Sequence, residues 1–462
     1  MASIFMRVLS LGATLMMIHC KSPSHIRALE DDQSEISAAS SDNSRRSNYS
    51  KWAREAYDAL NRHFYNGSQG LFEEWPSGHP QKGQPGLAFV WPQAVVLNAL
   101  IESDRVGIRL GDTASVYQRI HDGYGAFYNY WWVYNAGHKN PNVNYFYDDN
   151  GIIAWAALDY YRISKNPAHL HEADVLVQML REGRNDGWPI DRGLPWQDPG
   201  VAERHKIFDV EQDVVFTKNK YLANHATLLA AVAASEIYLA RRNPSLNQAY
   251  VQYSNSIQGR KTLANPEEYL AFAKDMNDAI FKPSNWNMTY PYDYHPLVGQ
   301  DVICGKDKGG KFKCEGRNDF LRAYATLYAV QLNLNFYRIY NAINFLKKAQ
   351  LGAEAVAKKW LIKGQNGGRC FAEAGEWGGF QMVRTLTDLY RIDHDKKWLF
   401  LVKDTLEYLR KYRRDPATGL YKQNWCVDAG DDLDPKKRDN LIYTASAAYA
   451  FSMVADPSLP MP

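Results

Sequence analysis

A chain of 462 residues with 45% hydrophobic content can bury a substantial core, and its net charge is only +3. That balance argues against a nucleic-acid or anionic-membrane partner, both of which call for a strongly basic surface. Aromatic residues reach 13%, with 13 Trp and 30 Tyr, rings that combine an apolar face with a polar tip.

The first residues read as a secretion signal. A basic start ends at Arg7, and Val8 to Ile18 (VLSLGATLMMI) is apolar but too short to span a bilayer, which takes about 20 residues. The signal is assigned to residues 1–20, with cleavage near Cys20 or as late as Ala28. Residues 21–46 are polar and Ser-rich, and are expected to be disordered. The last residues, FSMVADPSLPMP, carry no long apolar tail, so no lipid anchor is expected.

Helical periodicity dominates from Ser47 onward, with apolar residues recurring at three- and four-residue intervals. The spacing predicts helices over 47–64, 91–103, 114–135, 149–164, 168–183, 219–241, 265–280, 317–341, 349–363, 378–393, 397–412 and 441–454. No strand alternation and no dinucleotide-binding fingerprint stand out. Roughly twelve helices, joined by alternately short and long connections, predict an all-α (α/α)6 toroid filling 47–456 as one domain. An α-solenoid has the same helix content, but no fixed-period repeat is present. The long connections, among them GSQGLFEEWPSGHPQKGQPGLAFVWPQ, NAGHKNPNVNYFYDDN and RNDGWPIDRGLPWQDPG, are where function is expected.

Without Cys20 four cysteines remain, Cys304, Cys314, Cys370 and Cys426. An even number in an oxidising compartment implies disulfides, with three possible pairings. Local closure favours Cys304 with Cys314, leaving Cys370 with Cys426. Sequons at Asn48, Asn66 and Asn287 offer N-glycosylation sites.

The chemistry concentrates at Tyr147-Asp148-Asp149-Asn150, which runs straight into GIIAWAALDYY. Acidic residues at a helix start are commonly caps that accept free N–H groups. A pair of carboxylates is also what glycoside hydrolysis needs, one ionised and one protonated. Two close carboxyl groups do not both ionise easily, which separates them into those two roles.

The Tyr-Asp-Asp-Asn stretch, with Trp155 and Ala156-Ala157-Leu158 behind it, resembles the catalytic signature of glycoside hydrolase family 76, endo-α-1,6-mannanases on an (α/α)6 barrel. Asp186-Gly187-Trp188 with Leu194-Pro195-Trp196, and Thr217-Lys218-Asn219 leading to Asn224, are similar to that family's Trp-containing loop and its Thr-Lys-Asn helix start. The likeness covers roughly residues 50 to 450. The family's Tyr-Asn-Gln-Gly segment has no counterpart, and Thr289 to Tyr294 (TYPYDY) stands nearest to its place.

The resemblance implies Asp148 as nucleophile and Asp149 as acid/base. It implies substrate contacts from Tyr147, Asn150, Trp188, Trp196, Lys218, Asn219 and Asn224. Asn219 also reads as a plain N-cap, and the Trp residues as ordinary loop packing. The expected protein is a secreted, monomeric retaining hydrolase of α-mannan that uses no cofactor and no metal. His63, His79, His121, His138 and His225 show no ligand spacing and read as structural. Asp191 and Asp198 read as solvated loop carboxylates, Asp431-Asp432 as an exposed acidic turn, and Trp131-Trp132 as core. Alternatives are a cell-wall transglycosidase, a carbohydrate-binding protein or effector without turnover, or another (α/α)6 enzyme such as an epimerase.

Overall fold

The computed structural model describes residues 48–80, 86–128, 131–139, 144–184, 193–196, 221–257, 265–281, 301–306, 312–316, 322–364, 367–373, 375–426 and 440–460. The signal and polar segments, Trp188, Asp191, Asp198, Lys218, Asn219, Asn287, the 289–294 stretch and Asp431-Asp432 lie outside these residues.

Six helices are buried on nearly every side: α2 (Val90–Arg105), α4 (Tyr147–Ser164), α6 (Asn224–Arg241), α9 (Ala323–Tyr340), α11 (Gly375–Asp393) and α13 (Leu441–Val454). Their sequences explain it. LIYTASAAYAFSMV in α13 has no charged residue, and all of its side chains are buried. The small residues running through α6 and α13 let neighbouring helices approach closely. Successive members of this set pack side by side, and α13 returns to α2, so the six close into a ring.

The outer layer is amphipathic. It comprises α1 (48–63), α3 (Thr113–Tyr124), α5 (Pro167–Glu182), α8 (Glu267–Phe281), α10 (Ile343–Trp360) and α12 (Lys397–Tyr412). In α10, Leu346, Ala349, Ala353, Val356 and Trp360 face inward, while basic residues end its last turn. This is the expected (α/α)6 toroid.

The connections divide by end. Turns from an inner to an outer helix are short, such as Lys165–Asn166 between α4 and α5 and Asn341–Ala342 between α9 and α10. Connections from an outer to an inner helix are long and carry the strands. We call the end with the long connections the mouth and the other end the floor. Hairpins β1 (Tyr65–Asn66) with β2 (Leu71–Phe72), β3 (Gly125–Tyr128) with β4 (Trp131–Tyr134), and β8 (Leu361–Lys363) with β9 (Arg369–Phe371) are antiparallel; so is the three-stranded sheet of β5 (Tyr221–Ala223), β6 (Asp301–Lys306) and β7 (Phe312–Gly316). Cys304 and Cys314 occupy directly opposed positions across β6 and β7. Cys370 and Cys426 form a disulfide that joins the connections leading to α11 and α13, the pairing left over once Cys304 is matched with Cys314.

Three differences from the sequence reading are physical. The predicted 114–135 helix ends at Tyr124, because YGAFYNYWWVYN is aromatic without a helical period and pairs as a hairpin. A side chain on Gly125 would collide with the ring of Trp132, so glycine is what lets the two strands close there. Trp132 is half-buried against the core. The 219–241 helix begins only at Asn224, with strand β5 before it. An additional helix, α7 (Pro244–Ser256), buries only Tyr250 and Ser254 and so shows no apolar stripe. Its signal is the start: Asn243 caps the helix and Pro244 opens it.

The floor is tied together by ion pairs. Arg105 bonds Glu102 and Asp456, and Arg391 bonds Asp456 and Asp388. Arg162 bridges Asp159 and Glu236, and Arg384 grips Asp159. Burial alone would push the Asp388 carboxyl up, yet Arg338, Arg391 and Arg384 hold it down to about 2. Among the described residues no helix is long and apolar enough to cross a membrane.

Candidate active site

The inner helices start at the mouth, and most of the starts lack a side-chain cap. Phe89, Phe146, Ala223 and Arg322 occupy the capping positions of α2, α4, α6 and α9 without a capping hydrogen bond. Loop groups take their place. Glu74 accepts from Phe89 N at 3.2 Å and also binds Asn440, the cap of α13. Glu373 accepts from Ala323 N at 2.8 Å with one oxygen and 3.0 Å with the other. Several positive helix ends therefore lie at the mouth, which favours negative charge there.

Asp148 and Asp149 occupy the first turn of α4, and both are buried. Asn150 locks that turn: its Oδ1 accepts from Tyr134 N at 2.8 Å, and its Nδ2 donates to Tyr134 O at 3.1 Å and Phe146 O at 2.8 Å. It is fully buried. Tyr147 is also buried, and its N–H donates to Trp196 O at 2.9 Å.

That bond ties the segment Gly193–Trp196 to α4. The same segment is held to α6 by Ala223 N donating to Leu194 O at 2.8 Å and by Leu194 N donating to the Thr227 hydroxyl at 2.9 Å. Trp196 is thus braced between two helix starts, and its Nε1 donates to Asp148 Oδ2 at 2.8 Å. The same oxygen lies 3.2 Å from His225 Nε2. Asp149 N donates to Asp148 Oδ1 at 2.9 Å.

His225 reads as structural in the sequence, and the structure places it against Asp148. The cause is the approach of α4 to α6. A Cβ on Gly151 would stand 3.0 Å from Leu229, so the absent side chain lets the helices close up one turn below the carboxylates. His225 and Asp148 then meet. A lone histidine on an Ala-rich helix carried no spacing signal that would pair it with an aspartate 77 residues away.

The two carboxyl groups differ sharply. Asp148 accepts three hydrogen bonds, from Trp196, His225 and the Asp149 amide. The Asp149 carboxyl accepts none among the described residues, and burial, followed by the charge of Asp148, pushes it well above the usual carboxylate range. One is held by donors and the other is pushed toward its protonated form.

Beneath them the barrel axis is filled. Tyr328 is fully buried and packs edge-on to Trp155 at 5.9 Å and to Tyr324 at 6.4 Å. Its hydroxyl has no hydrogen-bond partner among the described residues, and burial together with Asp148's charge keeps it protonated. The Arg384 guanidinium lies 3.7 Å over the Trp155 ring. Asn224, expected to touch substrate, is the first residue of α6 and is buried beside His225. Of the expected site residues, Tyr147, Asp148, Asp149, Asn150, Trp196 and Asn224 are described, and all belong to this cluster or its supports.

No family model matches the sequence, and no curated protein matches it. Solved structures do match. A glycoside hydrolase family 76 α-mannanase from Bacteroides thetaiotaomicron superposes with a TM-score of 0.66 over 88% of this chain and 95% of its own, at 16% identity. An inactive variant of the α-1,6-mannanase of Salegentibacter sp. HEL1_6, with two consecutive aspartates replaced by asparagine and α-1,6-mannotriose bound, gives 0.62 over 88% and 99%, also at 16% identity. A cellobiose 2-epimerase from Bacillus thermoamylovorans gives 0.51 over 87% and 99%, at 14% identity. The chain has the (α/α)6 fold seen in the family 76 α-mannanases.

Proposed function

We propose that the protein is a retaining glycoside hydrolase that cleaves α-1,6-linked mannan internally. The observation that carries this reading is the asymmetry of the adjacent pair, with one carboxylate held by three donors and one buried acid held by none. Asp148 attacks the anomeric carbon, forming a glycosyl ester as the bond to the leaving oxygen breaks, and Asp149 gives that oxygen its proton. Water then attacks the same carbon, Asp149 takes the water's proton, and the ester bond breaks to restore Asp148. Retaining enzymes pair an ionised group with a protonated one, and burial, followed by the charge of Asp148, pushes Asp149 toward its protonated form.

The substrate class is supported by the fold likeness and by the mannotriose-bound relative, whose inactivation removes two consecutive aspartates. The apolar stretch Val8–Ile18 and the Cys370–Cys426 disulfide support secretion. Trp188, Lys218 and Asn219 remain candidates for sugar contact, as the resemblance implies.

The test is incubation of wild type, Asp148→Asn and Asp149→Asn with linear α-1,6-mannan, following reducing ends and, by NMR, the anomer first released. We expect oligosaccharides of retained configuration from wild type. Each variant should lose at least about a hundredfold in rate while staying folded, the scale of a missing acid or base. A folded wild type that leaves mannan intact rejects the substrate, and inverted product rejects the nucleophile.

A further inference from the structure

Resting on that reading of the pair, we propose that His225, together with Trp196, is a positioning residue that holds Asp148 by its Oδ2 atom as an imidazolium–carboxylate pair, leaving Oδ1 to attack the sugar.

The argument begins with lone pairs. Each carboxylate oxygen offers two in-plane acceptor sites, about four per group. Both sites of Oδ2 are taken, by Trp196 Nε1 at 2.8 Å and His225 Nε2 at 3.2 Å. Among the described residues Oδ1 accepts only the Asp149 amide, which leaves it one further site. A nucleophile needs a free lone pair, so the free oxygen is the one that reacts.

Charge gives the second step. His225 and Asp148 are both buried, at 4% and 7% exposure, where an uncompensated charge is costly. Among the described residues, the groups facing His225 are Asp148 and, through it, Asp149 from α4, Trp196 from the connection, and Tyr324 and Tyr328 from α9. Arg384 of α11 lies deeper, against Trp155, with its charge committed to Asp159. Glu236 on α6 itself is paired with Arg162 at the floor. Among these groups, a protonated His225 offsets an ionised Asp148 beside a protonated Asp149.

That balance survives the reaction. On attack by Oδ1, Asp148 becomes a neutral ester while Asp149, having given its proton to the leaving oxygen, becomes the carboxylate. Negative charge moves by one residue, and the imidazolium balances both states without transferring a proton.

The experiment compares His225→Ala and His225→Gln with wild type on α-1,6-mannan, and titrates His225 by NMR in the intact wild-type protein and in Asp148→Asn. For His225→Ala, kcat should fall roughly tenfold to a hundredfold, the scale of a lost charge-assisted hydrogen bond, with KM little changed. The acid limb of kcat/KM should move up by about one pH unit, since an opposite charge has been removed. His225→Gln keeps a neutral donor; it should recover part of kcat and leave the acid limb displaced.

In the titration, His225 should stay charged above the ordinary histidine range in wild type and lose its proton at lower pH in Asp148→Asn. A neutral His225 at pH 6 in wild type, or an acid limb unmoved in both variants, would falsify the proposal. The NMR arm needs no turnover. If wild type leaves mannan intact while His225 titrates with Asp148, the pair stands and the substrate reading falls.

Discussion

Both ends of the inner ring bury carboxylates, and they do so in opposite ways. At the floor every buried carboxylate named above has a guanidinium: Asp159 has Arg384 and Arg162, Glu236 has Arg162, and Asp388 has Arg391. At the mouth Asp149 has no such partner among the described residues and is pushed toward its protonated form. A buried acid with a cation beside it fastens helices together. A buried acid without one keeps its proton. In the proposed reading the same residue type serves structure at one end and chemistry at the other, and the partner decides which.

Breaking a floor pair should have the largest effect. Arg384→Met removes the guanidinium that lies over Trp155 and pairs with Asp159, leaving Arg162 as that carboxylate's partner. The loss should cost about 3 kcal/mol, the lower end for a buried pair's cation, read as a fall in the midpoint of urea unfolding. An unchanged midpoint would show that the floor network does not contribute to stability.

Next in size is Trp196→Phe, which keeps the ring against Phe146 but removes the Nε1 donor from Asp148. A hydrogen bond to a charged group contributes about 1.5–3 kcal/mol, so kcat should drop roughly tenfold to a hundredfold with the fold intact by circular dichroism. Full activity would mean that His225 alone holds Oδ2.

Smaller, and of opposite sign, is the effect of Asp149→Asn on stability. The folded-state pKa of Asp149 lies above its unfolded value, so its contribution is fully present below about pH 4 and is lost as pH rises through the folded value. The asparagine variant removes that loss. It should therefore be more stable than wild type at neutral pH, by about 0.5–2 kcal/mol, with the gain disappearing near pH 4 in calorimetric scans. A variant less stable than wild type at pH 7 would contradict the assignment of a buried acid.

Last comes a floor turn. Lys165 ends α4 in the left-handed region with φ of 56°, where glycine is unstrained. Lys165→Gly should stabilise by about 0.5–1 kcal/mol and leave kcat untouched, since no part of the mouth depends on it.

The ring was legible in the sequence because inner and outer helices obey different rules, and both are visible as patterns. LIYTASAAYAFSMV is apolar all round, and α10 alternates faces. The hairpins were not legible, since two- to six-residue strands in aromatic, Gly-rich connections have no room to show a period. The carboxylate pair could be read directly, because adjacency and a following helix are local facts. His225 could not, because its role arises only where Gly151 lets α4 meet α6 at Leu229. The bonds of the Asn150 amide to the backbone of Tyr134 and Phe146 were not legible either, since Tyr134 lies sixteen residues away.

The return of α13 onto α2 also sets an order of events at synthesis. Glu74 and Asn440, Arg105 and Asp456, and Trp52 and Phe451 join the two ends of the chain. None of these contacts can form until the last helix has emerged. At roughly 5–20 residues per second, the wait between α2 and α13 is on the order of tens of seconds. Through that interval the flank of Val90–Arg105 that α13 will cover stands open, an apolar seam on a nearly finished ring. A chain truncated before Leu441 would keep that seam exposed for good.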